Sequence, residues 1–170
     1  MLDSRLPVVR LLPLTPAALS ALAECNFAAA DAAFGRELAR ITKNETWLWR
    51  LRRDQIVLTP GDRNWVAYVI VNEVGTAVGH AGFHGGPDPS GMAEVGYSVD
   101  PAYRGRGFAK AALAELIARA RREPDVRTLR ATVRPDNAAS LAVIRGAGLV
   151  ENDDQRDARD GRELIFEMPV

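Results

Sequence analysis

The chain has 170 residues, 47% of them hydrophobic and 26% charged, the composition of an ordinary globular protein long enough to bury one substantial core. Lysine plus arginine and aspartate plus glutamate number 22 each, so no global field draws nucleic acid or an anionic membrane, and no apolar run approaches the ~20 residues of a membrane span. The N-terminus, Met1 to Leu14, mixes Asp3, Arg5 and Arg10 with apolar residues and lacks the sustained apolar stretch of a signal peptide. Cys25 is the sole cysteine and forms no internal disulfide, which fits a reducing, cytoplasmic setting. In chain order, Pro7 to Leu12 reads as a strand, and Thr15-Pro16 reads as a helix cap followed by a first-turn proline. A second helix is expected over Asp31 to Thr42, while Asn44 to Arg63 follows neither the helical nor the strand period. Trp65 to Val71 and Val78 to Phe83 read as a hairpin turning at Gly75, and Met92 to Val99 as a further strand. Gly107 to Arg122 carries a helical apolar stripe of Leu113, Leu116, Ile117 and Ala120. Val126 to Val133 alternates as a strand, Asn137 to Gly146 fits a short helix, Asp153 to Asp160 reads as a surface hairpin loop, and Leu164 to Met168 is a last strand.

That order predicts one α/β domain over residues 1–170. Its sheet is mixed and mostly antiparallel, flanked by about four helices. The strands on either side of the long helix are joined by a helical crossover and run parallel.

The segment from Val99 to Lys110 carries the chemistry. It joins a strand to the start of the long helix, where small residues let a ligand approach the backbone and first-turn N–H groups point outward together. Such a turn holds phosphate or pyrophosphate, and Arg104, Arg106 and Lys110 add positive charge. A Walker A loop needs a Gly-Lys-Ser/Thr ending, which is missing, and a dinucleotide loop needs a third glycine where Lys110 stands. What is present is Arg-x-x-Gly-x-Ala, as Arg104, Gly107 and Ala109.

This loop resembles the coenzyme A pyrophosphate loop of the GNAT (GCN-five-related N-acetyltransferase) superfamily. The resemblance runs from Val78 to Met168 and includes Val99-Asp100-Pro101-Ala102-Tyr103 before the loop. It also includes the helix opened by Asn137-Ala138-Ala139-Ser140 and followed by Gly148-Leu149. With Glu94 in Ala93-Glu94-Val95-Gly96-Tyr97, it is similar to the branch containing the ribosomal-protein alanine acetyltransferases. The resemblance implies a splayed parallel strand pair and acetyl-CoA as co-substrate, with an amine as the acceptor. It implies cofactor contacts from Tyr97, Ser98, Val99, Arg104, Gly105, Arg106, Gly107, Phe108, Ala109, Lys110 and Asn137, an oxyanion donor near Val95, and no metal. Dimers are common among such proteins, so a homodimer is a further implication; a nucleic-acid partner is not expected.

An attacking amine must be neutral, yet its unperturbed pKa is about 10. Glu94 is the expected base, directly or through water. In much of the superfamily a tyrosine protonates the departing thiolate, and the matching position here is Ile144, which has no proton to give. Ser140, one turn earlier, is the substitute by resemblance, and helix-start hydrogen bonding is its competing role. The missing tyrosine keeps a second reading open, an acyl-CoA-binding or sensing module; a nucleotide-binding protein is a third. His84 reads as a solvated loop residue and His80 as structural. Trp47 and Trp49 are candidates to wall the acceptor pocket, with core packing expected for at least one of them. Arg119, Arg121, Arg122, Arg127, Arg130 and Arg134 read as a solvated basic face.

Overall fold

The computed structural model describes residues 6–170, so Asp3 and Arg5 of the N-terminal reading lie outside it. The first strand, β1 (Val9–Pro13), leads to α1 (Pro16–Ala23), where the Thr15 side chain accepts from the Ala18 N–H as the sequence predicts. The expected helix over Asp31 to Thr42 is instead two. α2 (Phe27–Phe34) ends at Gly35, which takes a left-handed φ of 82°, and α3 (Arg40–Asn44) starts afresh. Asp31 staples the break by accepting from the Leu38 N–H at 2.8 Å and from Lys43 Nζ at 2.7 Å.

The stretch without a clear period holds α4 (Thr46–Leu58) and a short 3₁₀ turn, Pro60–Asn64. Its apolar residues obey no single stripe because α4 serves two surfaces. Trp49 is buried in the core and donates from Nε1 to the Thr42 carbonyl at 2.6 Å, whereas Trp47 and Leu51 face a cleft. With α5 (Phe108–Ala120) and α6 (Ala138–Gly146) the described residues contain six α-helices rather than four. The two added ones come from splitting the second helix and from this unreadable stretch.

The remaining strands are β2 (Tyr68–Asn72), β3 (Ala77–Phe83), β4 (Met92–Val99), β5 (Thr128–Val133), β6 (Val150–Asp157) and β7 (Gly161–Pro169). The loop expected over Asp153 to Asp160 is therefore largely strand. β6 lies at the sheet edge with all eight residues exposed, so it shows no inside-outside alternation to read. The turn proper is Ala158 to Asp160, where Asp157 accepts from the N–H groups of Arg159 and Asp160.

The seven strands run in the order β1-β2-β3-β4-β5-β7-β6, and only β4 and β5 are parallel. One core cluster lies beneath α5 and α6 and includes Leu113, Leu116, Leu129 and Ile144. A second, with Leu19, Leu22, Leu38 and Trp49, lies under the helices between β1 and β2. Both faces of the sheet are thus covered, the arrangement a mixed sheet with crossover helices requires.

The β3–β4 ladder depends on Gly79. A Cβ there would fall on the Ser98 carbonyl oxygen and come within 3.0 Å of the Val99 Cα, both rigid backbone. Gly79→Ala is expected to cost about 3 kcal/mol of stability, read as a lowered denaturant midpoint with an unchanged slope.

Candidate active site

The site begins with the backbone of β4. In an antiparallel ladder alternate residues give both polar groups to one neighbour. The His84 N–H donates to the Glu94 carbonyl at 2.8 Å, and the Asp100 N–H to the Val78 carbonyl at 2.9 Å. Even-numbered residues of β4 therefore turn their backbone to β3, and odd-numbered ones turn theirs to β5. The β4–β5 register stops at Val95↔Ala131, although β4 continues to Val99 and β5 to Val133. Past that point the odd-numbered Tyr97 and Val99 face an open edge, where an extended ligand adds as a strand would. The Ser98 backbone belongs to β3 instead, and its hydroxyl donates to Glu45 at 3.4 Å.

Beyond Val99 the chain makes the expected phosphate-type turn. Asp100 caps it, accepting from the Ala102 N–H at 3.0 Å and, with its other oxygen, from the Ile41 N–H of α3 at 3.1 Å. Arg104 folds back so that Nε donates to the Val99 carbonyl at 3.0 Å, fastening the turn to the strand end. Gly105 and Gly107 both adopt left-handed φ, 74° and 83°, which lets the N–H groups from Gly105 to Lys110 point out without acceptors among the described residues. The Arg106 guanidinium lies over the Tyr103 ring, Tyr103 stands edge-on to Phe108, and Lys110 is exposed at the rim. Six undirected donors at the start of α5 fit a polyanion.

These residues line a cleft of about 510 Å³ closed on its far side by α6. Asn137 caps that helix, its Oδ1 accepting from the Ser140 N–H at 3.1 Å. Ile144 is 2% exposed and is a core residue, so nothing at that position reaches the cleft. The Tyr97 hydroxyl is buried beside Ser140 with no well-aligned partner; burial pushes its pKa up and Ser140 opposes the rise.

A second cleft, about 690 Å³, opens on the opposite face of the sheet, against α4. Tyr97 and Ser98 line both clefts, so the parting of β4 and β5 connects them. Glu94 stands on the second side. Its Oε1 accepts from the Thr132 hydroxyl at 2.7 Å and lies 3.5 Å from His84 Nδ1. Arg52 of α4 donates to the His84 carbonyl at 3.0 Å, as does Gln55 at 2.8 Å, so that loop is pinned. Gly96 clears room for the imidazole, since a Cβ would stand 3.1 Å from His84 Nε2.

His84, read as solvated, is thus brought to Glu94. The signal was the hairpin register, which sets His84 across from Glu94. Glu45, Arg52 and Thr132 have no local sequence signal. His80 is buried with Nε2 2.6 Å from Glu45 Oε2, edge-on to Trp49. The basic cluster disperses. Arg119 reaches Tyr68 and Asn64, Arg130 pairs with Glu167, and Arg134 with Asp136. Among the described residues no group of His, Cys, Asp and Glu has the arrangement of a metal site, and no helix is long and apolar enough to cross a membrane.

A strand-edge groove ending in a nest of free N–H groups, opposite a carboxylate-bearing cleft, defines an acyl-CoA-dependent transferase. The family model for an acetyltransferase (GNAT) domain matches residues 9–150, and the chain belongs to that family. Acetyl-CoA is the family's co-substrate. An L-2,4-diaminobutyric acid acetyltransferase of Streptomyces coelicolor is 31% identical over 134 residues, 72% of this chain and 76% of that one. An uncharacterized N-acetyltransferase of Bacillus subtilis, YjdG, is 29% identical over 101 residues, and the match spans 60% of its length. The fold is shared with RimJ of Mycobacterium smegmatis in complex with CoA-disulfide (TM-score 0.68, 22% identity, 96% of this chain and 82% of that one). It is also shared with RimL, a ribosomal L7/L12 alpha-N-protein acetyltransferase in complex with coenzyme A (TM-score 0.67, 18% identity, 95% and 94%).

Partial desolvation holds the His84 imidazole, whose side chain is still 46% exposed, below its ordinary pKa of 6.5, with Glu94 opposing and Arg52 reinforcing the shift. The folded protein thus refuses a proton that the unfolded chain accepts, and stability falls as pH drops through about 6.5, levelling once folded His84 itself titrates. In denaturation series from about pH 7.5 to about 5, His84→Gln should flatten this part of the profile.

Proposed function

We propose that the protein transfers the acetyl group of acetyl-CoA directly to a primary amine, with Glu94 as the base and no covalent enzyme intermediate. The observation that carries this reading is the meeting of the two clefts at Tyr97 and Ser98, one lined by free N–H groups and the other by Thr132 and His84, the two residues that hold Glu94. Acetyl-CoA supplies the thioester. The open edge at Tyr97 and Val99 and the N–H groups from Gly105 to Lys110 bind it, with Arg106 and Lys110 adding charge, and the amide of Asn137 borders the same groove. An incoming ammonium gives its proton to Glu94, directly or through one water. The Thr132 hydroxyl and His84 hold that carboxylate toward the cleft. Ser140 donates to the departing thiolate from the far side of the gap, backed by the buried Tyr97 hydroxyl.

A small-molecule amine is the favoured acceptor over a protein N-terminus. The second cleft is bounded by α4 and the β6–β7 turn, and the Streptomyces coelicolor relative is named for a diamino acid. Burial of Ile144 favours one alternative, an acyl-CoA-binding module without turnover.

Glu94→Gln is expected to lower kcat about 10²- to 10⁴-fold at saturating amine, with the KM for acetyl-CoA unchanged. Ser140→Ala should lower turnover while leaving coenzyme A affinity intact. Thermal unfolding with coenzyme A compounds, NAD and ATP checks the loop. Acetyl-CoA at a hundredfold excess over Kd adds about 2.7 kcal/mol to the native state. Stabilisation by NAD or ATP alone overturns the assignment, and stabilisation without turnover on any amine leaves the binding module.

A further inference from the structure

At the mouth of the second cleft a cation is already bound, and it belongs to the protein. Trp47 on α4 is 44% exposed, an unusual degree for a tryptophan, and its indole face is covered by the guanidinium of Arg159, 3.1 Å from the ring centroid. Arg159 comes from the tip of the β6–β7 turn and crosses the cleft to reach this ring. Only its backbone N–H is tied down, by Asp157, and among the described residues its guanidinium makes neither a hydrogen bond nor a close ion pair. The stack is therefore separable from the fold. The turn that carries it is held by its own Asp157 and the left-handed Gly161.

Glu45 supplies the negative charge of the same place. Burial alone would raise its pKa, but hydrogen bonds and charge from His80, the Ser98 hydroxyl and the field of Arg159 hold it below the ordinary value, so the carboxylate is anionic at neutral pH. Asp157, Asp160 and Glu163 line the cleft on the opposite wall, against a single further cation, Arg52, at the Glu94 end. Glu45 touches Ser98, one of the two residues that line both clefts. A diamine whose second ammonium sits at Glu45 needs only a short alkyl chain to bring its other amine to the passage between the clefts.

We propose that the Trp47 face and Glu45 form a cation subsite for the acceptor, filled in the free protein by Arg159, and that the acceptor carries a second, unreacting ammonium at the end of a short alkyl chain. This rests on the acetyltransferase reading above and names its substrate class, a diamine. The acceptor's distal ammonium replaces the Arg159 guanidinium over the indole, where an aromatic face and a carboxylate together favour a partly desolvated cation. The reacting amine then lies at the Glu94 end. Arg159 competes with the acceptor for the subsite and leaves it with the turn when the acceptor enters.

The test uses the full chain and two readouts, calorimetric binding and acetyl transfer, with 1,4-diaminobutane and n-butylamine as a matched pair. The wild type should favour the diamine in kcat/KM by about tenfold or more, the worth of one cation–π contact with its carboxylate. Trp47→Ala should remove that preference, bringing the diamine-to-n-butylamine ratio of kcat/KM to about one, and Trp47→Phe should restore part of it. Arg159→Ala should tighten diamine binding several-fold with kcat unaltered. Equal rates for the two amines, or a Trp47→Ala loss shared by both, overturns the subsite. The calorimetry separates the two proposals. Trp47-dependent diamine binding without any transfer sinks the acetyltransferase reading and keeps the subsite; transfer to both amines alike does the reverse.

Discussion

Both clefts of this protein depend on the failure of β4 and β5 to stay paired. Through Val95↔Ala131 the two parallel strands form an ordinary ladder, and beyond it they part while both chains continue. Parting exposes backbone groups that a closed sheet would have used, and exposed backbone groups in a sheet interior demand a partner. It also opens a passage between faces that a sheet normally separates. The helices α5 and α6 on one face and α4 on the other then become walls of two clefts instead of lids on two cores. Thr132, which holds Glu94, and Ser140 line clefts on opposite sides of a sheet with a hole in it.

What was legible in the sequence follows from how local each feature is. The turn from Asp100 to Lys110 is written in consecutive residues, with a capping aspartate, two glycines in left-handed conformations and a run of first-turn N–H groups. Asn137 announces its helix in the same way, because its side chain caps the N–H three residues on. The acceptor side was less legible because its members come from distant segments. Glu45 meets His80 and Ser98, and Arg52 meets the His84 carbonyl, only after α4 docks on the sheet. The Trp47, Leu48, Trp49 and Leu51 series defeated a periodic reading because one flank of α4 faces the core and another lines a cleft. β6 escaped notice for the opposite reason: wholly exposed, it has no buried face to mark a period.

The two clefts also differ in how they handle charge. The coenzyme side relies on backbone donors and a helix terminus, which accept an anion without a buried opposing charge. The second cleft instead keeps carboxylates partly buried and gives them close polar partners, Glu45 with His80 and Ser98, Glu94 with Thr132 and His84. Such groups cost free energy unless paired, so their retention marks the cleft as built for something other than stability.

Asp100 has a consequence of a different kind. One of its oxygens fixes the start of the phosphate-type turn and the other fixes the first turn of α3, the segment that leads directly into α4. This buried carboxylate therefore ties the phosphate-type turn to the segment ahead of α4, alongside the contacts of Glu45 with Ser98 and His80. If a ligand on the turn shifts α4 through this contact, then by linkage whatever settles α4 must return the same coupling energy to the turn.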